Sequence, residues 1–418
     1  MLAVLAVVAG ACLVSGDGQA RVTAPRCPGV DLGTIAFVRD GALADVDLRS
    51  CRMRTLVPRH VLGPVRISVD GRYVAFNGGY VSSTSGAVRR TRGAGLWSPR
   101  GDVLAVGTAN GGVQLIEAAT GSLRTLLPDG WGATTLAFAP DGRTLAVSRS
   151  LFGRANVEPP YHQEIWIVDS ASGRRRMIFH QPRNRLAPPW LSGFSPDGRW
   201  LVFWEDSENS ASLAADGLPL LALRVSGGRA LEIARSELHY PDFLTWCGNT
   251  LVFVLNHGGR QVTTGDGIAG AAAPSWRAQT ILPAGGRTSW NSVACPTVAA
   301  AARGGGGLVV AGGPTSDDVP FGREHRSLWV VSPTRGARPQ VLSQTVPPAG
   351  ETDELPMWSS DGRWIVFVRT KAGGASARGS LYAIDPFGGN LVGPIAAVGR
   401  TGDYYGAYGW ANQIDWHR

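Results

Sequence analysis

The sequence predicts an all-β chain: a single β-propeller of four-stranded antiparallel blades, with eight blades favoured and seven as the alternative. N- and C-terminal strands sharing one blade would close the ring. Three observations predict this. A hairpin phrase recurs along the chain, its copies are spaced by roughly the length of one four-stranded blade, and the composition is turn-rich. The 418 residues include Gly 56 and Pro 27, with 44% hydrophobic and only 8% aromatic residues. Many turns between short apolar runs read as sheet rather than helix, and closed all-β folds of this length are commonly one domain.

The hairpin phrase is an aromatic residue, then Ser, Pro, Asp-Gly, a basic residue and an apolar run. It stands complete in Phe194-Ser195-Pro196-Asp197-Gly198-Arg199, which leads into Trp200-Leu201-Val202-Phe203. Variants are Phe138 to Arg143, Trp358 to Arg363, Ser68 to Arg72, the charge-swapped Trp97 to Asp102, and the degenerate Trp246-Cys247-Gly248-Asn249. Asp-Gly supplies the positive φ of a tight turn between two strands.

The turn glycines Gly71, Gly101, Gly142, Gly198, Gly248 and Gly362 are 30, 41, 56, 50 and 114 residues apart. The last interval hides one further unit, for which Ser292 to Gly312 fits. Third and fourth strands follow each hairpin, as in Glu164 to Val168 and Met177 to Phe179. Thr34 to Val38 reads as a second strand and Tyr408 to Trp410 as a lone first strand, the pair that would close the ring.

The Ser-Pro-Asp-Gly-Arg phrases resemble the WD-repeat-like motif of the TolB propeller family, which also occurs in the propellers of prolyl-oligopeptidase-like enzymes. The resemblance covers nearly all of residues 30–418. It implies blade architecture and no particular function. No separate N-terminal domain of the TolB kind is visible.

Strand direction assigns the Asp-Gly turns, and the turns between third and fourth strands, to one face, the bottom. Connections between second and third strands, and between blades, then lie on top. The long segments Arg149–Gln163, Glu205–Gly217, Leu255–Ser275, Gly312–Arg326 and Arg369–Arg378 all fall there, as do His60, His162, His180, His239, His257 and His325. Long loops of this kind carry function. The candidate binding residues are His162, Glu164, Asp206, His239, His257, Asp317, Asp318 and His325. Their chemistry suits calcium, zinc or an acid–base pair if they converge on the channel, but no shared ligand spacing exists, so no cofactor is predicted and the metal stays undefined.

Residues 1–20 read as a signal peptide or lipoprotein leader, 21–29 as a linker and 30–418 as the propeller. Leu2 to Val8 is apolar and is followed by Ala9-Gly10-Ala11-Cys12, which offers both a cleavage site and, at Cys12, a lipidation candidate. An exported chain is disulfide-permissive. The strand map pairs Cys27 with Cys51 and Cys247 with Cys295. The formal charge of +8 comes from scattered arginines, with Lys371 the single lysine, so nucleic acid is not expected as a partner.

No Gly-x-Ser-x-Gly elbow occurs and the Asp-Gly pairs lack the intervening residue of sialidase Asp boxes, which weighs against peptidase and glycosidase chemistry. The favoured reading is an exported, extracellular or cell-envelope binding scaffold, non-catalytic, that holds a protein or peptide on its top loops. The membrane would enter only through a lipid anchor. The alternative is a propeller enzyme, or a binder of a small glycan or metal, at the channel mouth.

Overall fold

A computed structural model describes residues 26–417 apart from 152–161, 182–187, 207–216, 241–242, 256–266, 283–296, 302–306, 313–325, 333–338, 372–376, 387–388, 402 and 405–406. The leader with Cys12, and the candidates His257, Cys295, Asp317, Asp318 and His325, lie outside the described residues, as does the His162 side chain.

Eight four-stranded antiparallel sheets form the blades of a propeller, and almost no helix is present. Strands within a blade are called a to d from the channel outward, and blades are numbered from the N-terminus. Blade 4 runs Ala133–Phe138, Thr144–Leu151, His162–Asp169 and Arg175–His180. Blade 5 runs Trp190–Phe194, Trp200–Trp204, Leu218–Arg224 and Leu231–Glu237. Blade 6 runs Leu244–Cys247, Thr250–Val254, Ile268–Ala272 and Gln279–Leu282. The hidden unit is blade 7, with Thr297–Ala301, Leu308–Gly312, Ser327–Val331 and Gln340–Val341. Blade 8 begins with Glu351–Trp358 and Ile365–Lys371.

Ring closure corrects one expectation. Blade 1 takes its strand a from the C-terminus, but the strand is Ile414–His417, paired antiparallel with Thr34–Phe37. Tyr408 instead pairs in a short ribbon and Trp410 sits in a 3-10 turn, where its buried indole packs among Ile414, Trp416 and the residues of blade 8. Four of the five predicted top segments also contain strand: Arg149 to Leu151 and His162 to Gln163 belong to strands b and c of blade 4, and Gly312 ends strand b of blade 7. Ile268–Ala272, inside Leu255–Ser275, is strand c of blade 6, and Arg369 to Lys371 end strand b of blade 8. Ile268-Ala269-Gly270-Ala271-Ala272 lacks the bulky β-branched run that marks a strand in sequence.

The recurring phrase is a self-satisfied turn. In blade 5 the Ser195 hydroxyl donates to Asp197 Oδ1 at 2.6 Å and accepts the Trp200 N–H at 3.0 Å, while Asp197 Oδ1 accepts the Arg199 N–H at 3.0 Å. Ser359 and Asp361 repeat these bonds in blade 8 at 2.5, 2.9 and 3.0 Å. The glycines take φ of 69° in both turns, a region open to glycine at little cost. Cys27 and Cys51 form the expected disulfide, with Cα atoms 5.6 Å apart and a sequence separation of 24.

That disulfide ties the chain entering blade 1 to the turn between its outer strands. Reduction should lower the stability of the folded chain by about 3 kcal/mol, the size expected from a closed loop of this order. Thermal melts of the wild type and of Cys51→Ser without reductant check this: the variant should show the lower melting temperature.

Candidate top-face site

Strand a descends from the top face, so residues that begin strands a and c or end strands b and d gather there. Buried polar side chains follow this division. Ser68, Ser98, Ser195 and Ser359 belong to bottom turns, whereas Ser150, Gln163, Glu164, Gln181, Asp206, Glu237, Arg326, Asp353, Glu354 and Thr370 lie at or beside top strand ends. A hydrogen-bonding group removed from water must be paired within the protein, so such a belt is costly unless it is held in place.

In blade 4 the belt is locked. Glu164 Oε2 accepts from Trp166 Nε1 at 2.7 Å and from Arg149 Nη1 at 3.2 Å, and His180 Nδ1 stands 3.9 Å from Oε1. Arg149 lies 4.6 Å from the Trp131 ring centroid and 5.9 Å from that of Trp166, and its Nε donates to the Trp131 carbonyl at 2.8 Å. Glu164 is therefore committed to packing. Between blades 4 and 5, Gln181 Nε2 donates to Glu205 Oε1 at 2.8 Å, and Asp206 is buried beyond the end of Trp200–Trp204.

His239 is placed differently. It lines a cavity of about 390 Å³ at the inner, upper edge of blades 4 to 6, with Thr135, Trp190, Leu191, Ser192, Trp204, Leu244 and Trp246. Its ring meets Trp190 edge-on at 4.4 Å and stacks on Tyr240 at 5.5 Å, which in turn meets Phe243 at 5.1 Å. Trp204 is 5% exposed, and its buried indole Nε1 has no hydrogen-bond partner among the described residues. Three indoles and an imidazole with a few hydroxyls give an apolar cleft with sparse polar anchors, the usual character of a binding pocket. Of the expected residues that are described, only His239 reaches it. Trp246 was legible as a worn copy of the turn phrase, not as a wall of this cleft.

A second cluster escaped the sequence. In blade 8, Arg369 grips Asp353 with Nε–Oδ1 at 2.7 Å and Nη2–Oδ2 at 2.9 Å. Arg326, fully buried at the start of strand c of blade 7, donates to Glu354 Oε1 at 2.9 Å, and the Thr352 hydroxyl donates to the same oxygen at 3.0 Å. A register shift between Glu354 and Met357, with Leu355 at φ 46°, interrupts the strand beside these carboxylates. Burial is the dominant influence on Asp353 and lifts its carboxyl to about 7 despite both bonds from Arg369, with the Glu354 and Glu351 charges adding to the rise. Arg369 is raised in the same pair through its bonds to Asp353, so the carboxyl is the member that titrates.

Among the described residues, no group of three or more His, Cys, Asp or Glu could hold a metal ion. Cys247 is buried, which raises its thiol above the ordinary value, and its expected partner Cys295 is outside the described residues.

No protein-family model matches the chain, and no curated protein matches it in sequence. Solved structures similar to it come from proteins of several functions. The dihydro-heme d1 dehydrogenase NirN, solved in complex with DHE, superposes with a TM-score of 0.57 at 16% identity, covering 90% of this chain and 76% of that one. Dipeptidyl peptidase 4 of Porphyromonas gingivalis gives 0.55 at 12% identity, covering 87% of this chain and 59% of the peptidase. TolB of Acinetobacter baumannii reaches only 0.38 at 13% identity, covering 89% of this chain and 66% of TolB. The chain also spans just 50% of the length of a similar prolyl endopeptidase. At these identities the likeness is one of fold alone, and the fold is the propeller that the repeats predicted.

The Asp353 carboxyl gives a pH test. Its folded value of about 7 lies above the ordinary value of about 3.9. Between the two, the folded chain keeps a proton that the unfolded chain has released, so this group's contribution to stability falls as pH rises through that window. The urea midpoint of the wild type should decline more between about pH 5 and about pH 7.5 than that of Asp353→Asn. Equal declines would remove Asp353 as the titrating group.

Proposed function

We propose that this chain is an exported, non-catalytic scaffold that binds a protein or peptide partner on its top face. The observation that carries the reading is the aromatic cleft of Trp190, Trp204, His239 and Trp246, which opens between inner strands of adjacent blades. Indole-rich pockets of this size accept an apolar or aromatic side chain from a partner, and buried tryptophans are the residues on which such interfaces depend. The Trp204 N–H, without a partner among the described residues, favours an occupant that also carries a hydrogen-bond acceptor, such as a peptide carbonyl. The long segments that the sequence assigns to the top would extend the surface on which a partner rests.

Export is supported by the apolar run Leu2 to Val8, the small residues before Cys12, and the Cys27–Cys51 disulfide, since such bonds persist in oxidising compartments. A second reading has its own support. A carboxyl near neutrality beside a second carboxylate, as at Asp353 and Glu354, is the equipment of acid–base chemistry. Under that reading the top face would turn over a small ligand instead of holding a partner.

Cross-linking pull-down from envelope fractions, using the mature chain, tests the scaffold. A captured protein should bind at least about thirtyfold more weakly to Trp190→Ala and Trp246→Ala variants, in line with the loss of an interface hot spot. It should bind unchanged to Arg363→Gln on the bottom face. Capture indifferent to both tryptophans would overturn the top cleft as the anchor.

A further inference from the structure

The bottom face between blades 5 and 6 holds a second cavity, of about 560 Å³, whose lining includes Asp197, Arg199, Trp200, Arg224, Ser226 and Pro274. Arg224, the exposed last residue of strand c in blade 5, sets its guanidinium carbon 5.1 Å from the Trp200 ring centroid. Trp200 is fixed in turn by Trp276, edge-on at 5.3 Å. The Arg224 guanidinium has no ion pair or hydrogen bond among the described residues. Its flat face is occupied by the indole, which leaves N–H edges free to donate.

Among the neighbours of Arg224, Asp197 and Arg176 are already committed. Asp197 carries its negative charge on a carboxylate whose Oδ1 is filled by the Ser195 hydroxyl and the Arg199 N–H, and Arg199 Nε stands 4.0 Å from Oδ2. Arg176 of blade 4 donates to the Val225 and Ser226 carbonyls at 2.7 and 3.0 Å, pinning the turn that forms one wall. On the same face Arg174, Arg175, Arg229 and Arg277 are exposed and have no carboxylate partner among the described residues. An isolated surface arginine is merely hydrated. Here two guanidinium groups share a concave site, one of them is held by a ring, and the surrounding charge draws anions toward it.

We infer that this cavity binds the anionic group of a small molecule, a phosphate or carboxylate, chelated by Arg199 and Arg224. The site lies opposite the top cleft and is independent of the function proposed above.

Isothermal titration of the full chain with inorganic phosphate and with citrate, at low ionic strength, tests it, with glycerol as the neutral control. One or both anions should bind at a single site, and the preferred one separates tetrahedral from planar recognition. Arg224→Gln and Arg199→Gln should each weaken binding at least about tenfold, the loss expected for a charge-assisted hydrogen bond. Their melting temperatures without anion should match the wild type. Arg363→Gln, at the same turn position in blade 8, should bind as the wild type does. Binding of neither anion, or an equal loss in Arg363→Gln, would overturn the site: the first because nothing binds, the second because the charge acts diffusely.

Discussion

Every blade of this molecule buries both of its faces, and the rest of the architecture follows from that constraint. The buried apolar side chains fall into eight clusters, one at each junction between neighbouring blades around the ring. Strand Trp200–Trp204 shows how alternation serves two cores at once. Leu201 and Phe203 face blade 4, whereas Trp200, Val202 and Trp204 face blade 6. All five are buried. A blade removed from the ring would expose two apolar surfaces, so stability belongs to the closed circle and not to any one unit. The pairing of Ile414–His417 with Thr34–Phe37 is what completes it.

With both sheet faces spent on packing, only strand ends and connections are left for polar work. The two ends solve the pairing of buried polar groups differently. At the bottom, Ser and Asp of one turn satisfy that same turn, as in Ser195–Asp197 and Ser359–Asp361. At the top the partners come from separate strands: Arg369 with Asp353 inside blade 8, and Arg326 with Glu354 and Gln181 with Glu205 across blade junctions. Local pairing makes the bottom turns regular and repetitive. Long-range pairing makes the top dependent on the assembled ring, and it gathers charged groups in surroundings dry enough to shift their protonation.

The same difference decides what the sequence could reveal. The Ser-Asp-Gly turns are legible because each is a self-contained solution written within six residues, and the apolar run after each one marks strand b. Blade number, the composite first blade and the Cys27–Cys51 pair follow from that map. The strands it misplaced have weak local signals: Ile268–Ala272 is nearly all small residues, and Ile414–His417 stands apart from the aromatic run at Tyr408 that resembled a strand. The aromatic cleft was still less visible. Its walls come from strands more than a hundred residues apart, Thr135 to Trp246, and nothing local to Trp190 or Trp246 distinguishes a cleft wall from a core residue. Arg326 and Glu354 meet only through the junction of blades 7 and 8, and Asp353 and Arg369 only through the pairing of strands a and b in blade 8.

The two cavities meet in one strand. Trp200 lines the bottom site and Trp204 the top cleft, at opposite ends of strand b of blade 5. Four residue steps along a strand separate them by about 13 Å. Proximity alone does not couple sites; coupling needs an element with two arrangements that each ligand biases differently. This strand is a poor candidate for such an element. Its five side chains are buried and interdigitated in two cores, and close-packed interiors do not accommodate graded shifts without loss of contact. The strand therefore acts as a rigid spacer: it presents an indole to each face and keeps the chemistry of the two faces separate, aromatic and nearly neutral at one end, strongly cationic at the other.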